Sequence, residues 1–266
     1  MDAETPTTWE SAKAVRARSF GAVAGAYAAW RPDYRSDVVA FLLGGADGAV
    51  PRHRVLDVGA GTGQLSASLV AAGHDVLAVD TSADMLAGLA DRLPEVRTWQ
   101  APAEDLPLPD GDVDAVVAGQ AAHWFDPVRA AAEFRRVLRP GGTVGFAWHV
   151  RVDDAAWAVE LAGLLAGESR DQRGDGREGN AAVVAAFARE LDAEAEPLVV
   201  HWVHDVPPEA VLGRVASSSR MALLDDAARA RYLGRVGDLL ATHPETAGRD
   251  RIDVAYQSSA YRFTLH

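Results

Sequence analysis

Residues 55–86 read VLDVGAGTGQLSASLVAAGHDVLAVDTSADML, and this stretch decides the fold. Apolar runs over 54–59 and 75–80 predict two strands, and the segment between them has apolar residues at helical spacing. Gly73 follows that segment, at the position where a helix commonly ends. A strand, a helix and a second strand in this order predict two parallel strands joined by a crossover helix.

The same alternation continues as far as residue 150. Further strands are predicted over 95–100, 112–119 and 143–150. A helix is predicted to begin at Pro127, because Asp126 is a favourable N-cap and proline suits the first helical position. Together with the later segments, the pattern predicts an α/β protein with a Rossmann-like, doubly wound, mainly parallel seven-stranded sheet.

The segments that flank this block have other patterns. Before the block, the sequence predicts a helical lead-in over 9–43 that is broken near Arg31–Pro32. After the block, it predicts a helix over 153–166, a charged surface loop over 168–180 and a helix over 181–191. A strand over 198–205, two helices between 208 and 241, and a final strand over 252–265 follow. We interpret 1–266 as a single domain with a cofactor-binding core (44–150), lid and acceptor-pocket elements (1–43 and 151–241) and a final strand region (242–266).

Composition restricts the classes of partner and chemistry. The chain has 266 residues, a formal net charge of −12 and no cysteine. Nucleic acid is an unfavourable partner for so acidic a chain, because phosphate binding depends on clustered lysine and arginine. No stretch approaches the roughly 18 apolar residues of a membrane span, and the polar N-terminus is not typical of a secretory signal. We therefore expect a cytoplasmic protein that binds neither membrane nor nucleic acid.

No metal site is expected. Thiolate ligands are excluded by the absence of cysteine. His201 and His204 lie three residues apart in a predicted strand, so their side chains would point to opposite faces.

A glycine-rich segment follows the first strand. Asp57 precedes Gly59, Gly61 and Gly63, and glycine lets a backbone turn tightly and approach a ligand closely. The G-x-G-x-G spacing differs from the G-x-G-x-x-G that binds a dinucleotide pyrophosphate. A carboxylate at Asp57 suits a ligand with an ammonium group, and the alternative is a tight turn without a ligand.

Asp80 ends the second predicted strand. A carboxylate at this position can accept hydrogen bonds from both hydroxyls of a ribose. The alternative is that Asp80 caps the following helix, a position for which Ser82 competes.

Three stretches carry a family resemblance. Residues 55–86, residues 101–125 (APAEDLPLPDGDVDAVVAGQAAHWF) with EFRRVLRPGG over 133–142, and FGAVAGAYAAWRPDY over 20–34 resemble class I S-adenosylmethionine-dependent methyltransferases of the type 11, UbiE-like branch. The resemblance covers roughly residues 19 to 150. It implies S-adenosylmethionine as cofactor and a small-molecule methyl acceptor as partner.

The resemblance also implies contacts for individual residues. The methionine moiety would be held by Asp57, Gly59, Ala60, Gly61, Thr62 and Gly63, with Gln120 nearby. The nucleoside would be held by Asp80 at the ribose, Thr81 and Met85 beside the adenine, and Ala103 and Glu104 at its amino edge. Tyr27 and Arg31 would close over the cofactor. The chain departs from the family where Ala101–Pro102 replaces the usual Gly-Asp, so an aspartate that commonly binds the adenine is missing, and where Arg35 replaces a proline.

Methyl transfer requires little covalent chemistry from the protein, because the sulfonium is already activated and placement supplies much of the catalysis. A base helps only where the accepting atom is protonated. His123 is the main candidate base, with a packing histidine as the alternative, and His149 is a weaker candidate.

Three functions are compatible with the sequence. The leading hypothesis is a metal-independent methyltransferase that acts on a small metabolite. The second is a fold relative that binds S-adenosylmethionine without methyl transfer or uses it for a cyclisation. The third is an NAD-dependent oxidoreductase, which the glycine spacing disfavours. The acceptor, the accepting atom and the oligomeric state are left open.

Overall fold

The computed structural model describes residues 31–45, 51–166, 177–218, 221 and 224–265. Its helices are α1 (Ser36–Leu42), α2 (Gln64–Ala71), α3 (Ala83–Arg92), a short 3-10 helix (Ala122–Trp124), α4 (Pro127–Val137), α5 (Ala156–Ala166), α6 (Arg177–Leu191), α7 (Pro208–Ala216) and α8 (Asp226–Thr242). Its strands are β1 (Arg54–Val58), β2 (Asp75–Asp80), β3 (Arg97–Gln100), β4 (Val113–Gly119), β5 (Leu138–Arg151), β6 (Glu196–Val206) and β7 (Ile252–Thr264).

The strands form one seven-stranded sheet in the order β3-β2-β1-β4-β5-β7-β6. The pairs from β3 to β5 are parallel, whereas β7 runs antiparallel to both β5 and β6. The predicted mainly parallel α/β architecture is confirmed. In such a sheet, ligands bind beyond the carboxyl ends of the strands, where the strand order reverses. Here β1 lies between β2 and β4, so the expected crevice lies at the end of β1.

The short apolar runs become buried strands, and side-chain caps start two of the helices between them, α3 and α4. Asp126 accepts hydrogen bonds from the amides of Val128 and Arg129, as the sequence predicts for an N-cap. Ser82 caps α3 by accepting from the amide of Met85. Gly73 has φ +89° just beyond the end of α2, a conformation that costs glycine little.

Two boundaries show the largest differences from the sequence-based expectation. β5 begins at Leu138 rather than at residue 143, because Leu138 already pairs with Val113 before the register shifts. The loop predicted over 168–180 is wrong for 177–180, which form the first turn of α6. α6 packs against α4, with the rings of Phe187 and Phe134 stacked at 5.9 Å. The part of the predicted lead-in helix before residue 31 lies outside the described residues.

Three apolar clusters surround the sheet. One contains Phe134, Phe146 and Phe187 on the α4 and α6 side, and a second packs α1, α2 and α3 on the other face. The third joins α5, α7 and α8 to the ends of β6 and β7. This third cluster is built from the chain after residue 151, beside the half of the sheet that contains β5, β6 and β7.

None of the described helices is long and apolar enough to cross a membrane.

Candidate active site

A cleft of about 1140 Å³ opens at the carboxyl ends of β1, β2 and β4. Twelve of the fifteen residues predicted for the site line it: Arg31, Asp57, Gly59, Ala60, Gly61, Asp80, Thr81, Met85, Ala103, Glu104, Gln120 and His123. Thr62 and Gly63 lie behind the glycine loop and do not line the cleft, and Tyr27 lies outside the described residues. The sequence thus brings together side chains from four strand ends.

Asp57 is the most buried acid of the cleft, with 1% of its surface exposed. Its Oδ2 accepts a hydrogen bond of 2.7 Å from the hydroxyl of Ser66. Its Oδ1 is buried without a hydrogen-bond partner among the described residues. Burial raises the pKa of Asp57 to about 7, and the nearby charge of Asp80 adds to this rise. A buried acceptor without a partner is costly, so this oxygen is suited to a donor that enters the cleft.

Asp80 shapes the loop as well as the cleft. Its Oδ2 accepts from the amide of Gly61 at 2.9 Å, and its Oδ1 accepts from the amide of Ser82 at 2.9 Å. Each carboxylate oxygen has a second lone pair, so two acceptor positions are still available toward the cleft. Burial raises the pKa of Asp80, whereas the two amides counteract that rise. Since Ser82 supplies the cap of α3, Asp80 does not cap the helix.

Close packing restricts two positions of the glycine loop, Gly59 and Gly63, to glycine. Gly59 has φ +68°, and a Cβ there would lie 2.6 Å from the Cβ of Ala121. Gly63 has φ +82°, and a Cβ there would lie 2.8 Å from Leu89. The amides of Gly59 and Ala60 both donate to the carbonyl of Val79. These amides therefore hold the loop against β2.

The part of the cleft beside Thr81 combines buried apolar residues with polar neighbours. Met85 and Ala103 are buried. The side chain of Gln100 donates to the carbonyl of Thr81 at 3.0 Å. Glu104 accepts from the amide of Asp126 at 2.7 Å, which fixes one of its carboxylate oxygens.

Gln120 marks the opposite end. Its φ of +59° is left-handed, which is uncommon for a residue other than glycine and typical of functional sites. Its amide donates to the carbonyl of Ala147, and its side chain donates to the carbonyl of His149 at 2.8 Å. Gln120 thereby ties the end of β4 to β5.

His149, the weaker candidate base in the sequence, lines the cleft. It lies within β5, is 6% exposed, and its Nδ1 is 2.8 Å from the hydroxyl of Ser258. Its Nε2 is buried without a hydrogen-bond partner among the described residues. Burial, followed by the positive charges of Arg214 and Arg31, lowers the pKa of His149 to about 3. The ring is therefore neutral at physiological pH.

His123 lies at the rim. It belongs to the 3-10 helix after β4 and is exposed. The indole nitrogen of Trp148 lies 3.4 Å from its Nδ1, and the ring of Trp124 lies 4.9 Å away. The position beside Gln120 is compatible with contact to a bound acceptor.

Sequence reasoning did not place Tyr34, Gln64 or Arg214 in the site, although all three line the cleft. The ring of Tyr34 lies 4.1 Å from that of His149. Arg214 is on α7, far along the chain from the glycine loop, and no motif marks it. Tyr34 stands at the end of the lead-in motif, which was the available signal.

Among the described residues, no group of three or more histidine, aspartate or glutamate side chains could hold a metal ion. His201 is exposed and His204 is half-buried on alternate faces of β6.

Comparison with known proteins identifies the family of this chain. Residues 56–146 match the family model of the type 11 methyltransferase domain. The chain is similar to an uncharacterized methyltransferase of Mycobacterium tuberculosis, with 38% identity over 247 residues that cover 93% of this chain and 96% of that protein. It is also similar to the demethylmenaquinone methyltransferase of Renibacterium salmoninarum, with 42% identity over 38% of this chain and 43% of that protein.

A solved structure of a candidate type II methyltransferase from Anaeromyxobacter dehalogenans has the same fold, with a TM-score of 0.63 and 25% identity. The match covers 90% of this chain and 98% of that one. The similarity to the mycobacterial protein spans almost the whole of both chains. The chain therefore belongs to the methyltransferase family and is an S-adenosylmethionine-dependent methyltransferase.

Proposed function

We propose that the cleft binds S-adenosylmethionine and that the protein transfers its methyl group to a small-molecule acceptor by direct in-line displacement, without a metal. The observation that carries this proposal is the buried Oδ1 of Asp57, which lines the cleft without a hydrogen-bond partner among the described residues. An ammonium group is the donor that a buried carboxylate favours most, because charge-assisted hydrogen bonds are the strong ones.

The cleft residues divide according to the parts of this ligand. Asp57 binds the ammonium group and Asp80 binds the ribose hydroxyls with its remaining lone pairs. Met85 and Thr81 flank the adenine, and Ala103 and Glu104 lie at its amino edge. The glycine loop from Gly59 to Gly63 shapes the methionine end, with Thr62 and Gly63 supporting it from behind, and Gln120 closes that end. Arg31 covers the cofactor, and we assign the same part to Tyr27.

S-adenosylmethionine supplies an activated methyl group when it is bound. The protein contributes placement, because a correctly held nucleophile gains much of its rate from orientation alone. Where the accepting atom is still protonated, we propose that His123 accepts that proton. The segments outside the cofactor-binding core, 1–43 and 151–241, supply the acceptor side of the cleft.

A small acceptor is supported by charge and shape. The formal net charge of −12 disfavours a polyanionic substrate. The acceptor end of the cleft is enclosed by the buried residues Tyr34 and His149.

Calorimetric titration tests the cofactor assignment. We expect the purified protein to bind S-adenosylmethionine and S-adenosylhomocysteine with micromolar dissociation constants and to show no tight binding of NADH. Binding of NADH alone would overturn the proposal in favour of an oxidoreductase.

Product analysis tests methyl transfer. A methyltransferase forms one S-adenosylhomocysteine for each acceptor that it modifies. An acceptor that is converted without S-adenosylhomocysteine would indicate a cyclisation or another use of the cofactor. Once an acceptor is known, we expect His123→Ala to lower kcat with the dissociation constant of S-adenosylhomocysteine unchanged. A retained kcat would leave placement as the whole mechanism.

A further inference from the structure

A second, smaller cavity lies beside the cleft, between α7 and the strands β6 and β7. We call it the side pocket. Its volume is about 140 Å³, and Arg214 lines both this pocket and the cleft. Most of its wall is apolar, formed by Val206, Val211, Val215 and Val254.

The described wall of the side pocket contains two arginines. Arg151 and Arg214 line it, and no residue with a carboxylate is found among the described residues of its wall. Arg151 pairs at 2.8 Å with Asp153, which lies outside the wall. Arginine is always protonated in proteins. An apolar cavity with guanidinium groups at its wall is complementary to a molecule with an apolar body and an anionic group.

A row of rings leads from the cleft to this pocket. The ring of Trp202 lies 5.7 Å from that of His149 and 4.9 Å from that of Tyr256. The guanidinium of Arg214 lies 4.7 Å above the ring of Tyr256 and donates to its hydroxyl at 2.6 Å. The tyrosine therefore holds Arg214 in a fixed position where the two cavities meet.

We propose that the side pocket is the acceptor subsite for a compact carboxylic acid, whose apolar body fills the pocket and whose carboxylate pairs with Arg214. The assignment of this acid as methyl acceptor rests on the proposed function, whereas its binding does not. Size agrees with the proposal, because an apolar cavity of about 150 Å³ holds a benzene molecule. The guanidinium group can bind a carboxylate with two parallel hydrogen bonds.

Benzoate and benzamide are suitable probes, because they share shape and differ in charge. Each is titrated calorimetrically into the full chain, once alone and once saturated with S-adenosylhomocysteine. We expect benzoate to bind at least about tenfold more tightly than benzamide, the preference that one charge-assisted pair provides. Equal binding of the two probes, or no binding of benzoate, would overturn the proposal.

Three variants locate the anion site. Arg214→Met should abolish the preference for benzoate, and Arg214→Lys should retain part of it because the charge remains. Arg251→Met is the matched control, since Arg251 pairs with Asp205 near the same strands but lines neither cavity. A preference that survives in Arg214→Met would place the anion elsewhere and contradict the proposal.

The adenosyl titration separates the two assignments. A urea denaturation midpoint of Arg214→Met close to that of the unmodified protein shows that the variant is folded. Failure of all forms to bind the adenosyl ligand would reject the proposed function. The benzoate preference measured without that ligand would still decide whether the side pocket binds a carboxylate.

Discussion

The hydroxyl of Ser258 lies 2.8 Å from Nδ1 of His149, which is its direct partner across the antiparallel pair of β7 and β5. The same hydroxyl accepts the indole hydrogen of Trp202 on β6 at 2.8 Å. One serine on β7 therefore positions two rings, one on each of the neighbouring strands β5 and β6. The row of rings between the cleft and the side pocket depends on this single group.

Ser258→Ala should lower the free energy of unfolding by about 1–3 kcal/mol, because it leaves the buried Nδ1 of His149 without its partner. Urea denaturation measures the change. Ser259→Ala is the matched control, since among the described residues its hydroxyl accepts from the side chain of Gln257. Equal stability of the two variants would show that water replaces the lost contact.

Asp57→Asn should change the dependence of stability on pH. The folded-state pKa of about 7 lies above the reference value of 3.8, so the folded protein keeps a proton that the unfolded chain has lost. This group therefore reduces stability progressively as pH rises from about 4 to about 7. At pH 7 the variant should be more stable than the unmodified protein by up to about 4 kcal/mol.

Urea midpoints of both proteins at pH 5, 6, 7 and 8 measure this difference. A difference that does not grow between pH 5 and 7 would contradict the raised pKa. The same variant should bind S-adenosylhomocysteine more weakly, because it no longer offers a charge to the ammonium group.

His149→Asn should make the stability of the protein less sensitive to acid. The folded-state pKa of about 3 lies below the reference value of 6.5, so the unfolded chain binds a proton that the folded protein excludes. The unmodified protein therefore loses stability as pH falls from about 6.5 toward 3, and the variant should lose less over that range. Urea denaturation of both proteins at pH 7 and pH 4.5 measures how much stability each loses on acidification. An equal loss in the two proteins would refute the prediction.

Asp80→Ala should weaken binding of S-adenosylhomocysteine by about 1–3 kcal/mol through the loss of charge-assisted hydrogen bonds. Calorimetry measures the dissociation constant. Asp91→Ala, an exposed change on α3, is the control for altered net charge. Asp80→Asn still accepts one backbone amide, and so it separates damage to the loop from loss of the ribose contact. An unchanged dissociation constant in both Asp80 variants would remove the ribose assignment.

Two glycine substitutions distinguish a role in packing the loop from a role in leaving space for the ligand. Gly59→Ala should destabilise the fold more than Gly61→Ala, because the new Cβ would lie 2.6 Å from Ala121 at Gly59 and has no neighbour within 4 Å at Gly61. We expect a difference of at least about 1 kcal/mol in urea denaturation. Both positions have positive φ, so the backbone strain is common to both. Gly61→Ala should instead weaken binding of the adenosyl ligand, since Gly61 lines the cleft and the new methyl group would take up space there.

The sequence predicted the parallel half of the sheet well, because apolar runs and helical spacing are local signals. Most of the residues that it predicted for the site line the cleft, since these follow the strand ends. It misplaced the start of β5, because Arg139–Gly142 has the composition of a turn. The pairing of His149 with Ser258 was not predictable, since periodicity gives a strand but not its register with a segment 109 residues away. Arg214 was missed for the same reason.

The order of the strands also constrains how the chain is made. β7 lies between β5 and β6 in the sheet but follows both in sequence. During synthesis, β6 has no partner in the sheet until residues 252–264 have left the ribosome, whereas β1 to β4 can already pair. The half of the sheet that carries the glycine loop can therefore assemble on the nascent chain before the half that carries the row of rings. Until then, the edge of β5 is open to pairing with other chains.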